Sequence, residues 1–213
     1  MSHVKPRRRY DSSRRQETAR RNRQAVLDIA ERRFLADGYA RTTVAAIAEE
    51  AAVSSELVYK VFGGKGGLVK AIYDRGLAGT GPVPAYERSD AMREQQKDPR
   101  TIMREWGLLT AEVAATLTPI RLLLRAAATT DPDMARLLEQ TEDERLERMR
   151  DHAEFLADRG YLRPGVSLVE ATDILWTCSS TELYELLALQ RKWPPARFAQ
   201  FITDVMVSGL LPR

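Results

Sequence analysis

Apolar positions recur at helical spacing along almost the whole chain, and alternating β-branched runs are missing. Val26, Ile29, Ala30 and Phe34 form one stripe on a helix predicted from about Arg20 to Asp37, closed by Gly38. Thr43 suits the N-cap of a short second helix carrying Val44, Ile47, Ala48 and Ala51. Ala51-Ala52-Val53 then makes a tight turn, and Ser54-Ser55 opens a third helix to about Phe62. After Gly63-Gly64-Lys65-Gly66-Gly67 comes a fourth helix with Leu68, Ile72 and Tyr73. Gly79-Thr80-Gly81-Pro82-Val83-Pro84 breaks the composition and serves as the expected domain boundary. Beyond it, a weak stretch covers 85–95, and a stronger helix starts at Asp98-Pro99 and runs to about Leu117. Thr118-Pro119 is read as the start of another helix, and a long charged one spans 131–159. Ser167 caps the next, to Cys178; Ser179 or Ser180 caps another, Ser179 with Glu182 fitting a capping box. Trp193-Pro194-Pro195 precedes the last helix.

Three short helices with a tight turn between the second and third describe a helix-turn-helix unit, whose third helix enters the major groove of DNA. The expected fold class is therefore all-α. Residues 1–19 are read as a basic, disordered arm, 20–79 as the helix-turn-helix DNA-binding domain with its connecting fourth helix, and 80–213 as a second, helical domain. The third helix is expected to bury Val58, Val61 and Phe62, leaving Ser54, Ser55, Glu56, Tyr59 and Lys60 for the groove. Glu56 could accept from a cytosine amino group. Leu57 meets either a thymine methyl or the core.

Charge and composition sharpen this reading. The 213 residues include 12 Gly and 10 Pro, which fits a folded globular chain. Residues 1–80 hold 16 Lys and Arg against 9 Asp and Glu, while 81–213 hold 17 against 21. Residues 1–24 alone carry 9 basic and 2 acidic side chains, so a polyanion partner is expected at one end only, the alternative being a solvated tail. Cys178 is the one cysteine, which excludes an intrachain disulfide framework. With His3 and His152 as the two histidines, no metal site and no cofactor are expected. Apolar runs are short and none follows the basic N-terminus, so neither a membrane span nor a signal peptide is expected, and the cytoplasm is the expected address. An enzyme is disfavoured: His152 has no evident nucleophile beside it, and Cys178 has no basic partner.

The stretch Ile29-Ala30-Glu31-Arg32-Arg33-Phe34-Leu35-Ala36-Asp37-Gly38-Tyr39, then Thr42-Thr43-Val44, Ile47-Ala48, Ala51-Ala52-Val53-Ser54, Leu57-Val58-Tyr59-Lys60-Val61-Phe62, Lys65 and Leu68 resembles the TetR family of bacterial transcriptional regulators. The resemblance covers about residues 20–75. It implies phosphate contacts from Thr42 or Thr43, Tyr59 and Lys65, base-edge contacts from the start of the third helix, and an all-helical C-terminal domain that dimerises and binds a small effector. Departures from the family pattern are Ala52 and Gly64, where Gly and then Ser or Thr are usual, Val61 in place of His, and Gly66 and Gly67 in place of acidic residues. The two glycines are expected to loosen the start of the fourth helix.

For an effector pocket the candidates are Met103, Trp106, Leu109, Val113, Leu123, Phe155 and Trp176; the plain alternative for each is core packing. Arg121 and Arg125 could meet an anionic ligand or pair with a neighbouring helix. For the dimer, Leu183, Leu186 and Leu187 with Phe198, Phe201, Ile202, Val205, Met206 and Leu210 could form half of an intersubunit bundle, or pack on their own core. The expected protein is a homodimeric repressor on a palindromic operator, released by an unknown small molecule. Control by a protein partner, or no ligand control, is the alternative.

Overall fold

The computed structural model describes residues 12–81 and 83–213, all helix and connection, with no strand among them. Ten helices follow in order: α1 Ser12–Asp37, α2 Val44–Glu50, α3 Ser55–Phe62, α4 Lys65–Ala78, α5 Ala85–Gln95, α6 Pro99–Ala127, α7 Pro132–Asp158, α8 Leu168–Cys178, α9 Thr181–Tyr184 and α10 Pro195–Leu210. A π-helical segment, Glu185–Gln190, continues α9. The chain divides into two compact units, Met1–Leu68 and Val69–Arg213. The division falls within α4 rather than in the 79–84 break. The reason is packing: Thr116 Oγ1 donates to the Gly76 carbonyl at 2.8 Å, and Leu117 lies against Gly76, so the second half of α4 is held by α6.

In the first unit Val26, Leu27, Ala30 and Phe34 of α1 are buried with Val44, Ile47 and Ala48 of α2 and Val58 of α3. Arg32 and Arg33 both bind the Glu50 carboxylate, tying α1 to α2. Residues 12–19 belong to α1, not to a disordered arm; residues 1–11 lie outside the described region. Periodicity is silent on residues 12–19 because they carry no apolar stripe, only local support such as the Glu17–Arg20 pair. Gly38 takes the left-handed conformation expected of it, φ 82°. Ala52 takes it too, φ 52°, at a cost of about 1 kcal/mol for a residue with a Cβ. The turn is held by the Val53 N–H donating to the Ala48 carbonyl at 3.0 Å.

In the second unit α6 runs unbroken through Pro119, which the sequence reading took for a helix start. Pro119 has no N–H for the Ala115 carbonyl, but Ala115 is exposed, so water can take that acceptor. Thr118 Oγ1 meanwhile donates to the Ala114 carbonyl at 2.6 Å. By length and composition α6 could cross a membrane. Here it is the central core helix, packed on α10 with Ile102, Met103 and Trp106 against Phe198, Ile202 and Met206. Gly107 lets the two backbones meet: a Cβ there would lie 2.8 Å from the Ala199 carbonyl oxygen. The N-cap of α9 is Ser180, while Ser179 ends α8; the capping box is formed by Ser167 and Glu170 instead.

The α4–α5 connection is clamped by Glu112 of α6. Its carboxylate accepts from the Thr80 N–H at 2.7 Å and from Arg88 Nη2 at 2.7 Å and Nη1 at 2.9 Å. Those bonds, Arg88 first, lower its pKa to about 2. A depressed carboxylate pKa contributes stability above the ordinary value of 4.5, lost as pH falls towards 2. With the carboxylate about a quarter exposed, the loss expected is only about 1 kcal/mol after solvent screening. Acid unfolding between pH 5 and 2 should be steeper in the parent protein than in Glu112→Gln.

Candidate nucleic-acid interface and cavity

The start of α3 is shaped by its cap. Ser54 Oγ accepts from the Leu57 N–H at 3.1 Å, so Ser54 is spent locally while remaining exposed. Glu56 and Lys60 are exposed, Ser55 is partly so, and Tyr59 stands 56% exposed with its ring beside Gly64. These five therefore share an open surface at the beginning of α3. Val58 alone of the three expected core residues is fully buried; Val61 is 46% exposed and Phe62 half-buried. Val61 and Leu57 instead line an apolar groove beside α1, closed by Val26, Phe62, Arg14 and Arg23. Arg23 lies over the Phe62 ring, 5.0 Å from its centroid. The basic first turns of α1 are thus part of the same face, a feature charge counting suggested and periodicity did not.

The two threonines separate. Thr42 is buried, with Oγ1 donating to the Gly38 carbonyl at 2.9 Å, so it holds the α1–α2 loop and is not available to a phosphate. Thr43 is exposed and caps α2, accepting from the Ala46 N–H at 3.1 Å; its own O–H remains to be given. Lys65 is less open than the resemblance implies. Its ammonium donates to the carbonyls of Tyr39, at 2.7 Å, and Thr42, at 3.2 Å, and sits 4.0 Å over the Tyr39 ring. It fastens the α3–α4 corner to the α1–α2 loop, leaving one N–H for an anion. The corner is tight, not loose. Gly63 caps α3 at φ 77°, and a Cβ on Gly67 would lie 1.6 Å from the Phe62 carbonyl oxygen.

In the second unit a cavity of about 180 Å³ opens among α4, α5, α6, α7 and α8. Trp106, Leu109 and Val113 line it as expected; Met103, Leu123, Phe155 and Trp176 do not. Met103 is sealed in the core, Phe155 packs edge-on against Tyr161, and Trp176 lies under Arg145. Sequence reasoning missed Tyr73, Tyr86, Ser89, Arg145, Arg148 and His152, which reach the cavity from three different helices. Spacing within one helix carried no signal of that convergence. His152 is buried against the Trp106 ring, 4.3 Å between centroids. Burial first, then the Arg148 and Arg93 charges, push its pKa well below the ordinary range, so the ring is neutral. Cys178 also lines the wall, but burial raises its pKa to about 11, leaving an inert thiol. Arg121 and Arg125 do not face a ligand: Arg121 binds Glu142 and Thr141, and Arg125 binds Glu182 and Glu185. Among the described residues no group of His, Cys, Asp and Glu could hold a metal.

The expected dimer set divides as well. Phe198, Ile202, Met206 and Leu210 are buried in the core of their own chain and are closed to a partner. Leu186 is 50% exposed, and Leu183, Leu187, Phe201 and Val205 are half-buried on the outer side of that core.

Residues 26–72 match the family of bacterial regulatory proteins described as the tetR family. Comparison with curated protein sequences gives no match. Among solved structures the chain is similar to NalD of Pseudomonas aeruginosa, the secondary repressor of the MexAB-OprM multidrug efflux pump. The identity is 21% over 92% of this chain and 98% of that one, with a TM-score of 0.67. It is similar to SmeT in its complex with triclosan, at 20% identity over 90% and 92%, TM-score 0.69. It is also similar to the fatty acid degradation regulator FadR from Bacillus halodurans, at 14% identity over 90% and 97%, TM-score 0.69. At such identities these likenesses are of fold. The helix-turn-helix stretch, residues 26–72, thus matches the tetR family of bacterial regulatory proteins, within a chain whose fold is similar to that of such regulators.

Proposed function

We propose that the protein is a cytoplasmic homodimeric repressor that binds a palindromic operator and releases it when a small molecule enters the cavity of the second unit. The observation that carries the DNA reading is the open start of α3, where Ser55, Glu56, Tyr59 and Lys60 stand clear of the core beside the basic first turns of α1. Small polar groups and an acid at a helix start can read base edges, while Thr43, Tyr59, Lys60 and the remaining N–H of Lys65 suit phosphates. Two-fold pairing is supported by the apolar face of α9, its π-helical continuation and α10, where Leu183, Leu186, Leu187, Phe201 and Val205 remain for a second copy.

Effector control is supported by the cavity and by α4. That helix is continuous from Lys65, at the corner behind α3, to Tyr73 and Leu77 in the cavity wall. A ligand that favours one position of α4 would change the spacing of the two recognition helices, which is all that coupling requires. SmeT, similar in fold, is known in complex with triclosan, and NalD is a repressor; both agree with this reading.

Selection from a random duplex pool at two salt concentrations tests it. An inverted repeat should emerge, with half-sites about 34–36 Å apart or a multiple of that. Retention that is salt-sensitive but unselective would overturn the reading. Lys60→Ala should weaken all duplexes alike and lower the salt slope by about one. Glu56→Gln should shift base preference instead.

A further inference from the structure

We infer that the effector is an uncharged, flat molecule, mostly ring carbon, with one hydrogen-bond acceptor oxygen that docks on the Ser89 hydroxyl and the Trp106 indole N–H. This rests on the reading of the second unit as an effector domain and names the chemistry that domain accepts.

The charged groups of the wall are already engaged. Arg145 gives its N–H groups to Ser179 Oγ at 3.0 Å, to Glu142 at 2.6 Å and to the Trp176 carbonyl. Arg148 is held by Asp90 at 2.8 Å and by the Tyr86 carbonyl at 2.9 Å. Glu144 accepts from Gln140 Nε2 at 2.7 Å and is exposed. Each of these lining charges has a hydrogen-bond partner among the described residues, so an ionic ligand would have to compete for them while bearing its own desolvation in a mostly apolar space.

Two donors, however, lack an acceptor. The order of protons along Arg93, His152 and Ser89 is forced. A guanidinium has only donors, so Arg93 Nη1, 3.3 Å from His152 Nδ1, makes that nitrogen the acceptor. The proton of the neutral ring therefore sits on Nε2 and is donated to Ser89 Oγ, 3.1 Å away. Ser89 is buried, and its own O–H reaches no acceptor among the described residues. The Trp106 Nε1–H is buried and also unpartnered, on a ring that lies tilted against His152. An unmet buried donor is costly, and both residues line the cavity, so an acceptor oxygen brought by a ligand satisfies what the protein leaves unmet. The rings of Trp106, His152, Tyr73 and Tyr86 supply flat faces for the remainder of the molecule.

Four probes with one ring system separate the possibilities: acetylnaphthalene, ethylnaphthalene, naphthoate and naphthylmethylammonium, titrated calorimetrically into the full-length protein without DNA. The ketone should bind about tenfold tighter than the acceptor-free ethyl compound, the difference one hydrogen bond makes. Both ions should bind at least tenfold more weakly than the ketone. Ser89→Ala should lower the ketone-to-ethyl ratio about threefold, the Trp106 N–H remaining as the second donor. Trp106→Phe, which keeps the ring and deletes the N–H, should lower the same ratio and serves if Ser89→Ala does not fold. Binding of none of the probes, an ion binding as tightly as the ketone, or a preference that survives both substitutions would overturn the inference. Operator selection is untouched by any of these outcomes, so failure here is distinct from failure of the regulator reading.

Discussion

Gly67→Ala should abolish high-affinity operator binding while leaving the second unit folded. A Cβ at this position falls 1.6 Å from the carbonyl oxygen and 2.8 Å from the carbonyl carbon of Phe62, and both are main-chain atoms that no rotamer change can move aside. The end of α3 and the start of α4 must separate. That also pulls Lys65 away from the Tyr39 and Thr42 carbonyls, the bonds that set α3 against the α1–α2 loop. Overpacking of this kind costs about 3 kcal/mol. A corresponding loss in binding is about a hundredfold. The three tryptophans, Trp106, Trp176 and Trp193, all belong to the second unit, so their fluorescence transition in urea should stay in place while far-ultraviolet circular dichroism shows early loss of helix. Operator affinity within threefold of the parent would show that the corner tolerates a side chain.

Glu142→Gln should destabilise the second unit by about 3 kcal/mol, because it leaves two buried guanidiniums without their shared carboxylate. Glu142 binds Arg121 through one oxygen and Arg145 through the other. Arg121 is only 7% exposed and Arg145 16%. Burial lowers the pKa of both, yet arginine keeps its proton, so neither charge can be discarded when the partner is lost. For a chain of this length the melting temperature, followed by tryptophan fluorescence, should fall by roughly 10 °C. Arg121 also donates to Thr141 Oγ1 at 3.2 Å, a bond the substitution leaves in place. A fall of less than about 2 °C would mean that water, not Glu142, solvates these charges.

The two substitutions probe features of different legibility. The helix positions, the Ser54 and Ser167 caps, the left-handed Gly38 and the open polar start of α3 follow from residues within a turn or two of one another. Ala52 is instructive: its side chain argues against positive φ, yet the turn demands it, because the Val53 N–H must reach the Ala48 carbonyl. Pro119 is the reverse case. It reads locally as a break, and the exposure of Ala115 lets α6 continue. Lys65 reads as a solvated or phosphate-binding charge, and its position puts two main-chain carbonyls within reach instead.

The amino-acid order by itself determined the all-helical class, the helix-turn-helix at the basic end and the residues at the start of α3, because helical periodicity, caps and turn residues are local. Tertiary structure alone decided which apolar residues of α10 close the core and which stay outside. It also joined Ser89, Trp106 and His152 at one cavity wall and committed Thr42 to the loop rather than to DNA. Those outcomes depend on residues tens of positions apart meeting through packing, and a stripe on one helix does not say which neighbour will cover it.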